Sequence, residues 1–305
     1  MPKRPLPADP TTALVKKQRA ARTWLDFVDA LEAVVGKYSA ANACTEKFAK
    51  EVKDAVVHRL TEDELADAQK HWAAGNSITA CGRKVGDRAV VRAAICVLLS
   101  DMTKIEVSST AQAKLWAAFP GGPDELLARL GPDPERPFAE GKIILKEAIN
   151  ACGRQDERIK RIHRVLNADK EESMERLLKM TYTEASAVLM AINGFGPKLT
   201  ACVLSFTCNH PVLAVDTNVS QVVKKLGWVR PGESDPSIHK KLNGTGTDEG
   251  FVPCAVGKHV NLRATLHGLL LNLGQQLGKK AKHSKLRDDC HAFVAEWQGW
   301  RPSLS

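Results

Sequence analysis

Two apolar stripes at helical spacing, joined by Gly194-Phe195-Gly196-Pro197, constrain this chain more than any other part of its 305 residues. Thr181-Tyr182-Thr183-Glu184 has the form of a capping box, in which the threonine and glutamate side chains each satisfy a backbone N–H of the opening turn. Ala185, Val188, Leu189 and Ile192 then recur at the intervals of one helical face. The glycines interrupt that pattern, Pro197 suits the first turn of a second helix, and Leu199, Cys202, Val203 and Phe206 repeat it. After a break at Asn209-His210-Pro211, Asp216 stands where an N-cap would. Val219, Val222, Val223 and Leu226 then give a third stripe, which Gly227 stops. So short a turn makes the first two helices a hairpin, with backbone N–H groups and a helix N-terminus pointing outward and Lys198 adding a cation beside them. Such a turn can hold a phosphate of a DNA backbone; it can also do no more than connect two helices.

From Trp24 onward the pattern is helical almost everywhere, with few of the alternations that mark strands, so the expected fold class is all-α, with roughly ten helices. Breaks fall at Gly75-Asn76-Ser77, at Pro120-Gly121-Gly122-Pro123, over 131–137 and over 230–250. The last, with Gly232, Asp235, Pro236, Gly244, Gly246 and Gly250, reads as a long surface loop. Residues 1–22 hold Pro2, Pro5, Pro7 and Pro10 among basic residues and read as a basic disordered tail. Within it, Lys3-Arg4 and Lys16-Lys17-Gln18-Arg19 have the spacing of a bipartite nuclear import signal, or of a solvated tail touching DNA phosphates.

Lys and Arg total 44 against 35 Asp and Glu, a formal net charge of +9, which points to a polyanionic partner, either nucleic acid or an anionic membrane surface. No apolar run approaches the ~18 residues of a membrane span. The basic N-terminal stretch lacks the continuous apolar core of a signal peptide, so a soluble intracellular protein is expected. The cysteines, Cys44, Cys81, Cys96, Cys152, Cys202, Cys208, Cys254 and Cys290, form no C-x-x-C pair and no Cys/His cluster, so neither a metal site nor a disulfide framework is expected. The length favours two domains.

Ile192-Asn193-Gly194-Phe195-Gly196-Pro197-Lys198-Leu199-Thr200-Ala201, followed by Ala214-Val215-Asp216-Thr217-Asn218-Val219, resembles a motif of the endonuclease III-like DNA glycosylases of the HhH-GPD superfamily. That motif is a helix-hairpin-helix and a Gly/Pro-rich loop with its aspartate: an L-P-G-x-G-x-K-T-A run and then V-D-T-H-V, with eighteen positions from lysine to aspartate. Lys198 and Asp216 stand at that separation. Lys224-Lys225-Leu226-Gly227-Trp228-Val229 also looks like family sequence, and thinner similarity runs through Ile95 to Ser100, Ile149 to Gly153 and Leu266 to Gln276. The resemblance covers about residues 88–290 and is dense only over 181–229.

The resemblance implies two α-helical lobes: a six-helix bundle over 88–210 that contains the hairpin, about 181–207, and a second lobe from 23–87 and 211–305. It implies that Lys198 attacks C1′ of a damaged nucleotide, expels the base and forms an imine that undergoes β-elimination, which requires a neutral amine. Asp216 would stabilise the cationic sugar of the transition state and assist deprotonation of the amine; as a plain N-cap it would contribute ~1 kcal/mol of stability. Gly194, Phe195, Gly196 and Thr200 would meet the DNA, and Met102 stands where the family often places a polar wedge to fill the stack left by an extruded nucleotide. Asp101, beside it, would be unfavourable near phosphates. Many relatives hold an iron–sulfur cluster with C-x6-C-x2-C-x5-C. Here Gly278, Lys285, Asp288 and Val294 fall at those positions, so no cluster and no other cofactor is expected. Lys279, Lys280 and Lys282, in the basic run up to Arg287, would contact phosphates in its place or form a solvated basic face.

The expected activity is therefore a base-excision glycosylase with abasic-site lyase activity, acting as a monomer on double-stranded DNA with a damaged base or abasic site. The expected location is the nucleus, with the mitochondrion as an alternative. Two other readings stand beside this one: a monofunctional glycosylase in which Asp216 activates water, and a non-enzymatic DNA-binding protein that keeps only the hairpin.

Overall fold

The computed structural model describes residues 22–36, 88–208, 210–245, 248–254, 262–278 and 285–300. Among them twelve α-helices follow one another: α1 (Trp24–Leu31), α2 (Ala89–Ser100), α3 (Ile105–Ala118), α4 (Gly122–Leu130), α5 (Ala139–Ala148), α6 (Gln155–Glu171), α7 (Tyr182–Ala191), α8 (Pro197–Phe206), α9 (Thr217–Lys225), α10 (Asp235–Asn243), α11 (Leu262–Gly278) and α12 (Lys285–Trp297). Extended pairing among these residues is confined to an antiparallel ladder of two residues a side, β1 (Gly244–Thr245) against β2 (Asp248–Glu249). The protein is all-α. Seven α-helices rather than the expected six lie between residues 88 and 210, because Pro123 and the acidic Asp124 and Glu125 start α4 within the stretch read as a break.

The chain divides into two compact units. The larger comprises the described residues of 88–214 and 239–265. Its core is one cluster in which Val91, Ile95 and Leu99 of α2 meet Ile162 and Leu166 of α6, Leu189 of α7 and Val203 of α8. Helix α2 packs on α3, α6 and α8, so the residues that follow it are held among the same elements as the hairpin. Each such fully buried aliphatic side chain contributes roughly 1.5–3 kcal/mol relative to exposure. The smaller unit comprises the described residues of 22–36, 215–238 and 266–300, and its core is aromatic. Phe27 stacks on Trp300 with ring centroids 5.4 Å apart, and Trp24 meets Trp228 edge to face at 5.3 Å.

Three sequence expectations are corrected here. The 230–250 stretch is not a long loop: α10 forms in it, since Ile238 and Leu242, one turn apart, are both fully buried. Gly244 opens the ladder that closes after the helix, where the Asn243 side chain accepts from the Leu213 N–H at 2.6 Å and donates to the Leu213 carbonyl at 2.9 Å. Nor do residues 211–305 form one piece. The described residues of 211–214 and 239–265 pack with the larger unit, and buried Arg263 is one visible reason: its guanidinium donates to the carbonyls of Val252 at 2.6 Å and Pro211 at 2.9 Å. Finally, the last residue assigned to the basic tail, Arg22, is anchored, donating to Glu296 at 2.7 Å and lying 4.4 Å from the Trp297 ring centroid. Residues 1–21, with the import-signal pattern, lie outside the described residues, as do Lys279, Lys280 and Lys282.

Candidate functional site

The hairpin forms as its signals dictate. Thr181 caps α7 in a closed capping box, its hydroxyl accepting from the Glu184 N–H at 3.4 Å while Glu184 accepts from the Thr181 N–H at 2.9 Å. Helix α7 stops before Ile192, and Gly194 turns the chain with φ at 108°, a conformation that strains any residue with a side chain. A Cβ there would also lie 2.8 Å from Cγ of Arg161. Gly196 is the N-cap of α8 and Pro197 its first residue, and no side chain caps this helix. The N–H groups of Lys198 and Leu199 thus have no side-chain cap and sit at the positive end of the helix dipole, the arrangement that receives an anion.

Lys198, the second residue of α8, is half-buried, and its Nζ donates to Oδ1 of Asp101 at 3.1 Å. The other oxygen of that carboxylate lies 3.8 Å from Nη1 of Arg161, a guanidinium that also donates to Glu157 at 2.9 Å. Asp101 begins the loop after α2. The next residue, Met102, holds a left-handed backbone with φ at 54° and exposes 82% of its surface. A long non-glycine side chain in that conformation is strained, and such strain gathers at functional sites. Arg154, at the start of α6, is left-handed too, with φ at 49°, and its Nη1 lies 3.9 Å from the Met102 sulfur.

What holds this loop is Arg158. Its buried guanidinium donates to the carbonyls of Leu98, Asp101 (2.6 Å), Cys152 (3.2 Å) and Gly153 (3.0 Å), and to the Thr103 hydroxyl at 2.8 Å. The end of α2 is thereby tied to the turn that precedes α6. A buried guanidinium needs several acceptors at once, and a tight turn with unpaired carbonyls supplies them.

Asp216 is the N-cap of α9 in the smaller unit: Oδ1 accepts from the Val219 N–H at 2.7 Å, and Oδ2 lies 3.4 Å from the donating Asn218 amide. One oxygen is committed to the cap and the other to a long, weak bond. Burial disfavours the thiolate at three described cysteines of the larger unit. Burial pushes the thiol of Cys96 up to about 11 and that of Cys208 up to about 12, and it raises Cys152 as well.

Of the residues expected to meet DNA, Gly194 and Gly196 form the turn and Met102 projects into solvent. Phe195 and Thr200 do not project. Phe195 is buried in the core cluster, and Thr200 is 1% exposed with no hydrogen-bond partner for its hydroxyl. The reason is that α8 is buried from Leu199 through Ser205, so side chains past its first turn face protein. Asp101, Arg158 and Arg161 were missed as site residues. The sequence does carry a signal, since a carboxylate beside the wedge position calls for nearby cations, but the partners lie up to 97 residues away.

The resemblance sets four residues at the positions of cluster ligands, and the structure places each of them. Gly278 ends α11, Lys285, Asp288 and Val294 lie along α12, and none offers a thiolate. Cys290 is buried in the smaller unit, and burial pushes its thiol up to about 11. Among the described residues, no group of three or more His, Cys, Asp or Glu could hold a metal ion.

Comparison with known proteins gives the class that these residues resemble. A protein of Arabidopsis thaliana named as a DNA glycosylase is 30% identical over 167 residues, 53% of this chain and 53% of that protein. The DNA glycosylase/AP lyase ROS1 of Arabidopsis thaliana is 32% identical over 87 residues, 27% of this chain and 6% of its own. The chain therefore spans about half the length of the first relative and a small part of the second. Among solved structures, a trapped endonuclease III–DNA covalent intermediate has a TM-score of 0.47 at 19% identity, covering 74% of this chain and 91% of that one. MBOgg1 in complex with a low-affinity DNA ligand has a TM-score of 0.46 at 17% identity, covering 85% and 78%. No protein-family profile matches the chain.

Proposed function

We propose that this protein is a base-excision DNA glycosylase with abasic-site lyase activity, acting on duplex DNA through Lys198 and Asp216. The observation that carries the reading is the place of Lys198, in the first turn of an uncapped helix N-terminus at the tip of a glycine hairpin. In that place a phosphate of the duplex docks on the N–H groups of α8, and the amine is presented beside it. Its similarity to two proteins named as glycosylases gives the same class.

In this reaction the neutral Lys198 amine attacks C1′, and the glycosidic bond breaks with its electron pair leaving on the base, which takes up a proton. Loss of a proton from nitrogen and opening of the sugar give the imine; removal of a C2′ proton then expels the 3′ phosphate. Asp216 supplies a negative charge to the cationic sugar, where the charge develops during reaction. Met102, exposed and strained, fills the space left when the nucleotide leaves the stack. No step requires an iron–sulfur cluster.

One observation favours a second reading. Lys198 is engaged by Asp101, as a purely structural cation would be, which suits a monofunctional glycosylase that uses Asp216 and water. Strand cleavage separates the readings. Duplexes carrying oxidised pyrimidines or an abasic site are incubated with the protein, with and without hot alkali. The lyase cleaves the abasic duplex without alkali and Lys198→Ala does not. Cleavage that always needs alkali supports the water mechanism, and binding without cleavage across a broad lesion panel leaves only a DNA-binding protein.

A further inference from the structure

We infer that Asp101 is a positioning residue for Lys198, fixing the amine that performs the chemistry; the inference rests on the reading of Lys198 as nucleophile. The long side chain of Lys198 has many rotamers. Asp101 limits them, because its Oδ1 receives Nζ at 3.1 Å from a loop that is itself held. The Asp101 N–H donates to the Val97 carbonyl at 3.1 Å, and its own carbonyl receives Arg158 at 2.6 Å. The anchor is therefore rigid where the lysine is not.

Charge bookkeeping around the pair supports the assignment. From α6, Arg161 faces the second Asp101 oxygen and pairs in turn with Glu157, and Arg158 holds the Asp101 carbonyl. A carboxylate next to an exposed wedge residue would repel DNA phosphates. Here Lys198 on one oxygen and Arg161 on the other offset it, so its cost to docking is small while its hold on Nζ remains. The lysine and aspartate side chains are 37% and 23% exposed, so solvent screens the pair and the hydrogen bond can open for the reaction. Asp101 makes and breaks no bond to substrate. It narrows the arrangements the amine samples before attack, which is where rate is gained.

The test is single-turnover borohydride trapping on an abasic duplex, with duplex affinity measured in parallel for the full chain. Asp101→Ala lowers the trapping rate about tenfold while affinity stays within about twofold or tightens, and Asp101→Glu restores the rate to within about threefold of wild type. A purely structural residue would move affinity and the melting curve together and would not be rescued by the longer carboxylate. If Asp101→Ala shifts the melting curve, Asp101→Asn replaces it, keeping the volume while weakening the acceptor; its expected rate lies between those of the wild type and the alanine variant. Asp101→Ala trapping at or above the wild-type rate, or Ala and Glu losing rate equally, overturns the inference. A wild-type protein that forms no adduct overturns instead the reading on which it rests.

Discussion

Asp216 caps α9, and the catalytic duty proposed for it can be separated from the cap by a single substitution. Asn caps helices as well as Asp does, so Asp216→Asn preserves the bond to the Val219 N–H while removing the charge. Its stability should stay within about 0.5 kcal/mol of wild type, while base excision slows by roughly a hundredfold or more. Urea melts and single-turnover excision measure the two effects, and a rate near wild type would reduce Asp216 to a cap. The buried His210 gives a pH dependence of stability. Desolvation pulls its imidazole from 6.5 down to about 4, so the folded protein keeps the ring neutral while the unfolded chain protonates it. Its contribution is whole above pH 6.5 and is lost as pH falls toward 4, on the order of 3 kcal/mol from this residue. His163 and His239 are shifted the same way by burial, so His210→Gln flattens the acid limb of a melting series without abolishing it. At this scale the resemblance to the glycosylase motif picks out Lys198 and Asp216. It could not show Asp101 as the partner of Lys198, because that pairing depends on α2 packing against α8.

The elements were readable where capping chemistry is local. The Thr181-Glu184 box, Pro197 at the start of α8 and Asp216 at the start of α9 each fix a helix end within a few residues of chain, and all three formed. Helix α10 was not readable, because the flanking glycines outweighed two buried residues, Ile238 and Leu242, whose value depends on what they pack against. The same limit hid the Arg158 clamp, a side chain in a helix with strongly polar composition that turns out to be buried. Arg158→Ala leaves the carbonyls of Leu98, Asp101 and Cys152 without their shared donor and should cost about 2–4 kcal/mol. Thermal melts check the magnitude, and the variant should also lose duplex affinity as the Met102 loop loosens. A loss below about 0.5 kcal/mol would mean that other groups hold this loop.

For the whole molecule, the excess of nine positive charges favours a polyanion without naming one. On the proposed function that polyanion is duplex DNA, and the Lys198–Asp101 pair shows how one of the cations is held. The cation to which the proposal assigns the chemistry is held by a carboxylate, and the proposal leaves binding to helix N–H groups and to basic residues elsewhere. Two-unit organisation was legible from length, but its boundary was not, because Arg263 and Asn243 return part of the C-terminal half to the larger unit through contacts far apart in sequence. The most direct measurement of the central claim is the site of covalent capture. The protein is incubated with an abasic duplex and borohydride, which reduces any imine to a stable amine, and the adduct is digested and located by mass spectrometry. One cross-linked residue is expected, Lys198, with no adduct in Lys198→Ala; an adduct on a different lysine or on the N-terminal amine, with Lys198 unmodified, would rule out Lys198 as the nucleophile.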